Sequence, residues 1–207
     1  MEKEINNNGH PYVNLELPSG TLWSTCNVGA DNPSEAGLYF QWGDTVGYSI
    51  DQVGIERGQK EFSWADYKFS KDRNGSKFSK YKTNRATLDL EDDAAHVNMG
   101  GDWHMPSPKQ IKELIDNTIS EWTKQDGING RLFKSKKDSS KSIFIPAAGS
   151  SWYGLVSNSG RYGNVWSSML NTCSFRSGQY LYFYQEFAFL SYSYFRCDGL
   201  SVRGVIG

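Results

Sequence analysis

After Lys141 the chain contains no lysine, and its last 66 residues carry only six formal charges: Arg161, Arg176, Glu186, Arg196, Asp198 and Arg203. The preceding 141 residues carry 39 charges, yet 15 of the 30 aromatic residues fall in the charge-poor stretch. A segment that gains rings where it loses charge must either be buried or be presented to a partner, because a soluble monomer exposes little contiguous apolar surface. Sixty-six residues make a marginal independent core, and no Pro/Gly/Ser linker sets them apart. The expectation is one domain over residues 1–207 whose last third performs a special task.

The charges balance at 22 Lys+Arg against 23 Asp+Glu, so no net field steers the protein toward nucleic acid or anionic lipid. No apolar run of about 18 residues occurs, so membrane insertion is not expected. Met1 to Pro11 is acidic and Asn-rich and lacks the basic start and apolar middle of a signal peptide. Either the protein is not exported by that route, or the sequence begins after the signal. Cys26, Cys173 and Cys197 match neither a disulfide framework nor a CxxC knuckle.

Tyr12 to Leu17 alternates apolar and polar side chains and breaks at Pro18-Ser19-Gly20, and Thr21 to Val28 resumes the pattern, which predicts a hairpin. Ser107-Pro108-Lys109-Gln110 is a helix start, with a hydroxyl cap, proline at the first position and Gln three residues on. Ile111, Leu114, Ile115, Ile119 and Trp122 then share a helical face, predicting a helix that ends near Lys124 before Asp126-Gly127. A shorter helix is expected over Leu90 to Val97, capped by Asp89 and stopped by Gly100-Gly101. Glu56 to Arg85 reads as a long loop pinned by aromatics. Short strands follow at Ser142–Pro146, Gly163–Ser168, around Tyr180–Tyr184 and at Leu200–Val205. Two helices among many short strands give an α+β class.

Catalytic chemistry has few candidates. His96 and His104, near Asp92, Asp93 and Asp102, could form a metal site, but the acids fit a helix first turn and the histidines fit backbone partners better. Asp89, Glu91, Asp92 and Asp93 could supply paired carboxylates, yet four acids in five residues read more readily as a solvated helix start. No phosphate-loop, nucleophile-elbow or zinc-protease motif occurs. Arg161, Arg176 and Arg196 interleave with aromatics, but no lysines accompany them to hold phosphates. No cofactor, no metal and no catalytic residue is expected.

Several stretches carry a resemblance. Tyr12 to Ala30 (YVNLELPSGTLWSTCNVGA), Leu88 to Pro106 (LDLEDDAAHVNMGGDWHMP), Phe144 to Gly149 (FIPAAG), Trp166-Ser167-Ser168 and Gly199 to Val205 (GLSVRGV) resemble, in order, a bacterial family with the C-type lectin fold of the formylglycine-generating-enzyme type. Within it the sequence is similar to the variable proteins of diversity-generating retroelements, whose C-terminal segment is rewritten at template adenines. The resemblance implies paired N- and C-terminal strands, two helices flanking a small twisted sheet, and a variable ligand-binding segment, matched here by residues 169–200. It also implies residence on a bacterial cell surface, with the signal segment outside this sequence, or on a phage particle. Sulfatase-activating members hold copper through a cysteine pair close in sequence, whereas Cys173 and Cys197 are 24 residues apart.

Rewriting of AAC codons yields NNC codons, which exclude Met, Gln, Glu, Lys and Trp; in residues 169–200 only Met169, Gln179, Gln185 and Glu186 lie outside that set. The same segment holds five Tyr, five Phe and four Ser, the residues that dominate antibody paratopes because Tyr offers rigid amphipathic area and Ser adaptable hydrogen bonds. Alternation assigns Leu181 and Phe183, with Trp166, to the core. Consecutive aromatics from Tyr192 to Phe195 cannot all face one core, so some are exposed. The expected ligand-contacting residues are Ser174, Phe175, Arg176, Ser177, Tyr184, Phe189, Ser191, Tyr192, Ser193, Tyr194, Phe195, Asp198 and Leu200. Their expected ligand is a protein or glycan on a cell or on a phage host. The rival expectations are a surface adhesin that is not diversified and a formylglycine-generating-type oxidase.

Overall fold

The structure is a computed structural model that describes residues 6–207. Residues 1–5 of the acidic, Asn-rich start lie outside the described residues. In chain order the elements are β1 (Asn6–Asn7), β2 (His10–Asn14), β3 (Leu22–Asn27), β4 (Tyr39–Phe40), α1 (Ala94–Met99) and α2 (Pro108–Asn117). There follow β5 (Thr118–Gln125), β6 (Ile128–Ser135), β7 (Ser142–Pro146), β8 (Ser150–Trp152), β9 (Leu155–Ser157) and β10 (Gly163–Leu170). The chain closes with β11 (Gly178–Phe183), β12 (Ala188–Ser191), β13 (Leu200–Ser201) and β14 (Arg203–Ile206). The fold is α+β, with small, mostly antiparallel sheets and two helices.

The predicted hairpin forms, with Tyr12 opposite Ser24 and Asn14 opposite Leu22. Its first strand stops at Asn14 instead of Leu17, because Glu16 takes a left-handed φ of 57° and Leu15 and Leu17 turn into the core. The C-terminal strand β14 pairs with β3, so its direct partner is the second strand of the hairpin and not Tyr12 to Leu17. The expected strand Leu200–Val205 is itself split at Val202. Leu200 and Ser201 pair with β4 and β10 in a five-stranded sheet ordered β12-β11-β10-β13-β4, while Arg203 to Ile206 complete a four-stranded sheet ordered β1-β2-β3-β14. One short segment therefore stitches two sheets together.

The start of α2 is as the sequence predicts: Ser107 Oγ accepts from the Gln110 amide at 3.2 Å and the Gln110 side chain accepts from the Ser107 amide at 2.9 Å. Its end differs. The helix stops at Asn117, and Thr118 to Gln125 is a strand paired with Ile128–Ser135. Asp126 and Gly127, at φ 51° and 82°, are the two-residue turn of that hairpin; Asp-Gly supplies the two positive φ angles such a turn needs. Ile119 and Trp122 fall on the strand, so their helical spacing with Ile111 is coincidental. The shorter helix also divides: Asp89 precedes a 3-10 turn over Leu90–Asp92 without a side-chain capping bond, and Asp93 caps α1 by accepting from the His96 amide.

The five-stranded sheet has core on both faces. On one side Val165, Leu181 and Phe183 join Trp23, Ile111 and Phe133. On the other, Trp166 and Tyr180 join Trp42, Trp103, Leu170 and Leu200. The long segment from Glu56 to Arg85 contains no α-helix or paired strand, and it is held by a third cluster of Trp64, Tyr67, Phe69 and Phe78 with Cys197.

Deleting residues 201–207 removes β14, strips β3 of one of its two partners and takes the wholly buried Arg203 and Val205 out of the interior. The expected outcome is loss of a cooperative thermal transition by circular dichroism. A truncated protein melting within a few degrees of the intact one would contradict this account of the sheet.

Candidate ligand-binding face

The alternation that buries Leu181 and Phe183 turns Tyr180, Tyr182 and Tyr184 to the opposite side of β11. Register with β12 sets Ser191 opposite Tyr180 and Phe189 opposite Tyr182, so a row of rings and hydroxyls forms at the sheet edge. Ring centroids lie 6.3 Å apart for Tyr180–Tyr182, 5.7 Å for Tyr182–Tyr184 and 5.0 Å for Tyr182–Phe189, and Tyr162 stacks on Tyr182 at 5.6 Å. Tyr180 Oη joins Ser193 Oγ at 2.7 Å and accepts from Ser191 Oγ at 3.0 Å. Tyr194 packs on Tyr180 at 4.9 Å, and its hydroxyl meets Ser150 Oγ at 2.8 Å. Between these groups lies an open depression of about 330 Å³. Burial among rings pushes the Tyr182 phenol up to about 12.

The expected contact residues separate into three sets. Tyr184, Phe189, Ser191, Ser193 and Tyr194 surround this depression or continue its ring row, and Tyr192 projects beside it, half exposed. Phe175, Arg176 and Phe195 lie instead against the long aromatic loop, and Ser174 accepts from the Arg176 amide in the turn beside them. The Arg176 guanidinium covers the rings of Trp64 at 5.3 Å and Phe195 at 5.5 Å and donates to the Asn74 carbonyl at 2.9 Å, while Phe175 packs edge-on against Phe78. Ser177, Asp198 and Leu200 lie in the interior, away from the exposed rings. Leu200 is wholly buried in β13. Asp198 Oδ2 accepts from the Phe195 amide at 3.0 Å and ties the aromatic loop back to the frame.

Sequence reasoning missed Tyr162, Tyr180 and Tyr182, although the alternation of β11 was the signal for two of them. It also missed the hairpin β8–β9. Trp152 and Leu155 are opposite each other in that hairpin, 55% and 67% exposed, on the face of β8 whose Ser150 reaches Tyr194.

Other chemistry-bearing groups are committed elsewhere. Asp89, Glu91 and Asp92 converge closely enough to hold a cation, but the Lys80 ammonium sits among them at 2.6, 2.8 and 2.5 Å and Lys68 adds a contact to Asp92 at 2.7 Å. His96 and His104 bond through Nδ1 to the carbonyls of Trp103 and Met105, and Asp93 accepts from the His96 and Met105 amides. A second depression, of about 480 Å³, adjoins Pro11, Cys26, Asp31 and Met99. The Cys26 thiol there meets the Thr25 hydroxyl and donates to the Asp31 carbonyl, both at 3.6 Å. Cys173 is exposed, whereas Cys197 is buried and its thiol is pushed well up by desolvation.

No protein-family model, no curated protein and no solved structure matches the chain.

Burial raises the Asp198 carboxyl from its usual range to about 7. The unfolded chain ionises this group near 3.8 and the folded chain near 7, so stability is fully present below the lower value and falls as pH rises between them. Asp93 is raised for the same reason and acts in the same direction. Asp198→Asn keeps an oxygen for the Phe195 amide and removes the titration. The expected result is that urea-unfolding free energies decline from pH 4 to 7 in the wild type, by up to about 1.4 kcal/mol per unit for each such group, and decline less steeply in the variant. Equal slopes would show that Asp198 is not held protonated.

Proposed function

We propose that the chain is a binding protein of the C-type lectin type, acting by recognition without chemistry, whose ligand face is built from residues diversified by a retroelement. The observation that carries this reading is the accessibility of three rings in one short segment: Phe187, Phe189 and Tyr192 are 63%, 43% and 51% exposed, with Ser191 and Ser193 flanking Tyr192. Evolution of a soluble monomer ordinarily removes such a cluster unless a partner covers it. The neighbouring Leu181, Phe183, Ser201, Val202 and Arg203 are buried, so side chains of the exposed loop can change without altering the frame. The hairpin of β2 and β3 joined to the terminal strand, the two helices and the long irregular loop agree with that fold type. The partner is a protein or glycan on a cell or phage host, and the protein resides on a bacterial surface or a phage particle.

An oxidase of the formylglycine-generating type is disfavoured, since Cys173 is exposed while Cys197 is wholly buried. A copper titration without effect on melting or spectra is expected.

Two measurements test the main reading. Replacing Phe189, Tyr192 and Ser193 together by Ala should leave the melting temperature within a few degrees. The same variant should abolish binding to any glycan or displayed peptide that the wild type selects, because a few aromatic anchors dominate interface energy. Unfolding of this variant would make these side chains structural and refute the face. Sequencing the locus should reveal NNC codons at Ser191 to Phe195 and a near-repeat carrying AAC at those positions beside a reverse-transcriptase gene. Mixed third bases and no repeat would leave a fixed adhesin in place of a diversified one.

A further inference from the structure

β12 is an end strand of the five-stranded sheet, paired on one side only, with β11. The Tyr184 amide donates to the Phe187 carbonyl at 3.0 Å, and that bond sets the phase of the ladder. Bonded and unbonded pairs alternate in an antiparallel ladder, so Phe189 and Ser191 bond to Tyr182 and Tyr180, while Ala188 and Leu190 turn their N–H and C=O groups away from β11. Among the described residues these outward groups meet no backbone partner.

Three other edges are guarded. Val205 of β14 exchanges both backbone bonds with His104, at 3.0 and 2.9 Å, and Tyr39 of β4 exchanges both with Tyr48, at 2.9 and 3.0 Å. β5 carries Glu121 and Lys124, and charge along an edge discourages a further strand. β12 has no such device: from Phe187 to Phe195 the chain has neither charge nor proline, and the register with β11 runs without a bulge. Donors and acceptors repeating every second residue, about 7 Å apart, match an extended chain.

The strand is complementary to itself. Turned about a two-fold axis at Phe189, Ala188 faces Leu190 of the partner subunit, and each such pair exchanges both its bonds, so every open group on both strands is bonded. Phe189, 43% exposed, meets Phe189 of the partner subunit at an unbonded position, where side chains approach most closely and aromatic pairs strengthen strand pairing. The side chains of Ala188 and Leu190 lie on the other face, against the core, and supply an apolar pair there. Glu186 falls opposite Tyr192 of the partner subunit, which leaves the two Glu186 carboxylates about 20 Å apart. No like charges meet. An unrelated strand could make the same backbone bonds, but a copy is present wherever the protein is, at the protein's own concentration.

We propose that β12 pairs antiparallel with β12 of a second copy about a two-fold axis at Phe189. The two five-stranded sheets become one continuous sheet, and because the axis stands perpendicular to it, both tyrosine rows lie on the same side. Each copy contributes Tyr182, Phe187 and Phe189 to one wide aromatic face. The contact is made by the strand edge and does not depend on what that face binds.

Sedimentation equilibrium of the intact chain is expected to show a reversible monomer–dimer equilibrium. Ala188→Pro removes an outward N–H, spares the bonds to β11 and suits the first residue of an edge strand. It should raise the dimer Kd about tenfold or more, with the melting temperature within a few degrees of the wild type. Phe189→Lys sets two ammonium groups against each other and should also give monomers. In a Cys173→Ser background, Phe189→Cys should cross-link on mild oxidation, because opposed residues of an unbonded pair lie within disulfide reach, whereas Glu186→Cys should not. A chain that is monomeric at every concentration reached overturns the proposal. So does a dimer that neither Ala188→Pro nor Phe189→Lys weakens, since its contact lies on another surface. Should Ala188→Pro unfold, Phe189→Lys and the cross-link decide. Ala188→Pro keeps Phe189 and Tyr192, so its capture of a ligand selected by the wild type is read separately, and the failure of either reading leaves the other to its own test.

Discussion

A guanidinium buried without a carboxylate must spend its donors on carbonyl oxygens, and two such groups fix how this chain closes. Arg196 and Arg203 are wholly buried, and among the described residues neither has a carboxylate within ion-pair distance. Arg196 donates to the carbonyls of Tyr81 and Phe175 from one nitrogen and of Lys80 from the other, at 2.8 to 3.0 Å, with the Phe78 ring 3.8 Å from its carbon. Arg203 donates to Asn27 Oδ1 and to the carbonyls of Ser24 and Phe144. Each carbonyl left without its donor would cost about 1–3 kcal/mol, so each arginine acts as a clamp on several segments at once. Burial lowers both groups from the ordinary arginine range, which measures how far charge has been removed from water, though both stay protonated at neutral pH.

The clamps bracket the exposed aromatic segment. Arg196 follows Phe195 directly and anchors it to the long loop between Glu56 and Arg85, which is also held by its own aromatic cluster and by the ion pairs of Lys68 and Lys80 with Asp92. Arg203 secures β14 against β3 and β7. Between Phe183 and Arg196 the backbone runs from one buried strand to one buried cation, and Asp198 adds a hydrogen bond back to Phe195. Within this span Ala188, Leu190 and Tyr194 pack against the core, whereas Phe187, Phe189 and Tyr192 are exposed, so the frame and the open surface alternate along it.

The sequence made visible those features that rest on local chemistry. The capping box at Ser107, the strand Ser142–Pro146 and the buried side of β11 follow from spacing alone. Lost were features in which two periods fit the same residues. Ile119 and Trp122 satisfy a helical face and a strand equally, and only the pairing of Thr118–Gln125 with Ile128–Ser135 decides between them. The break at Val202 is likewise non-local, because it follows from having one strand serve two sheets. Asp198 and Leu200 looked like parts of an exposed segment because nothing in their immediate neighbours marks the point where the chain dives beneath β8 and β4.

The tyrosines of β11 show why a ring count alone could not outline the face. Tyr180 is nearly inaccessible, Tyr182 and Tyr184 are half buried, and Phe189 on the neighbouring strand is open, although all belong to one row. Depth decides their parts. Tyr180 Oη accepts from Ser191 and joins Ser193 Oγ and so positions the loop, whereas the shallower rings keep faces free. Replacing a deep ring would disturb the orientation of every shallow one. Replacing a shallow ring would change only what the face can meet, which confines useful variation to the outer side of a row whose inner side belongs to the core.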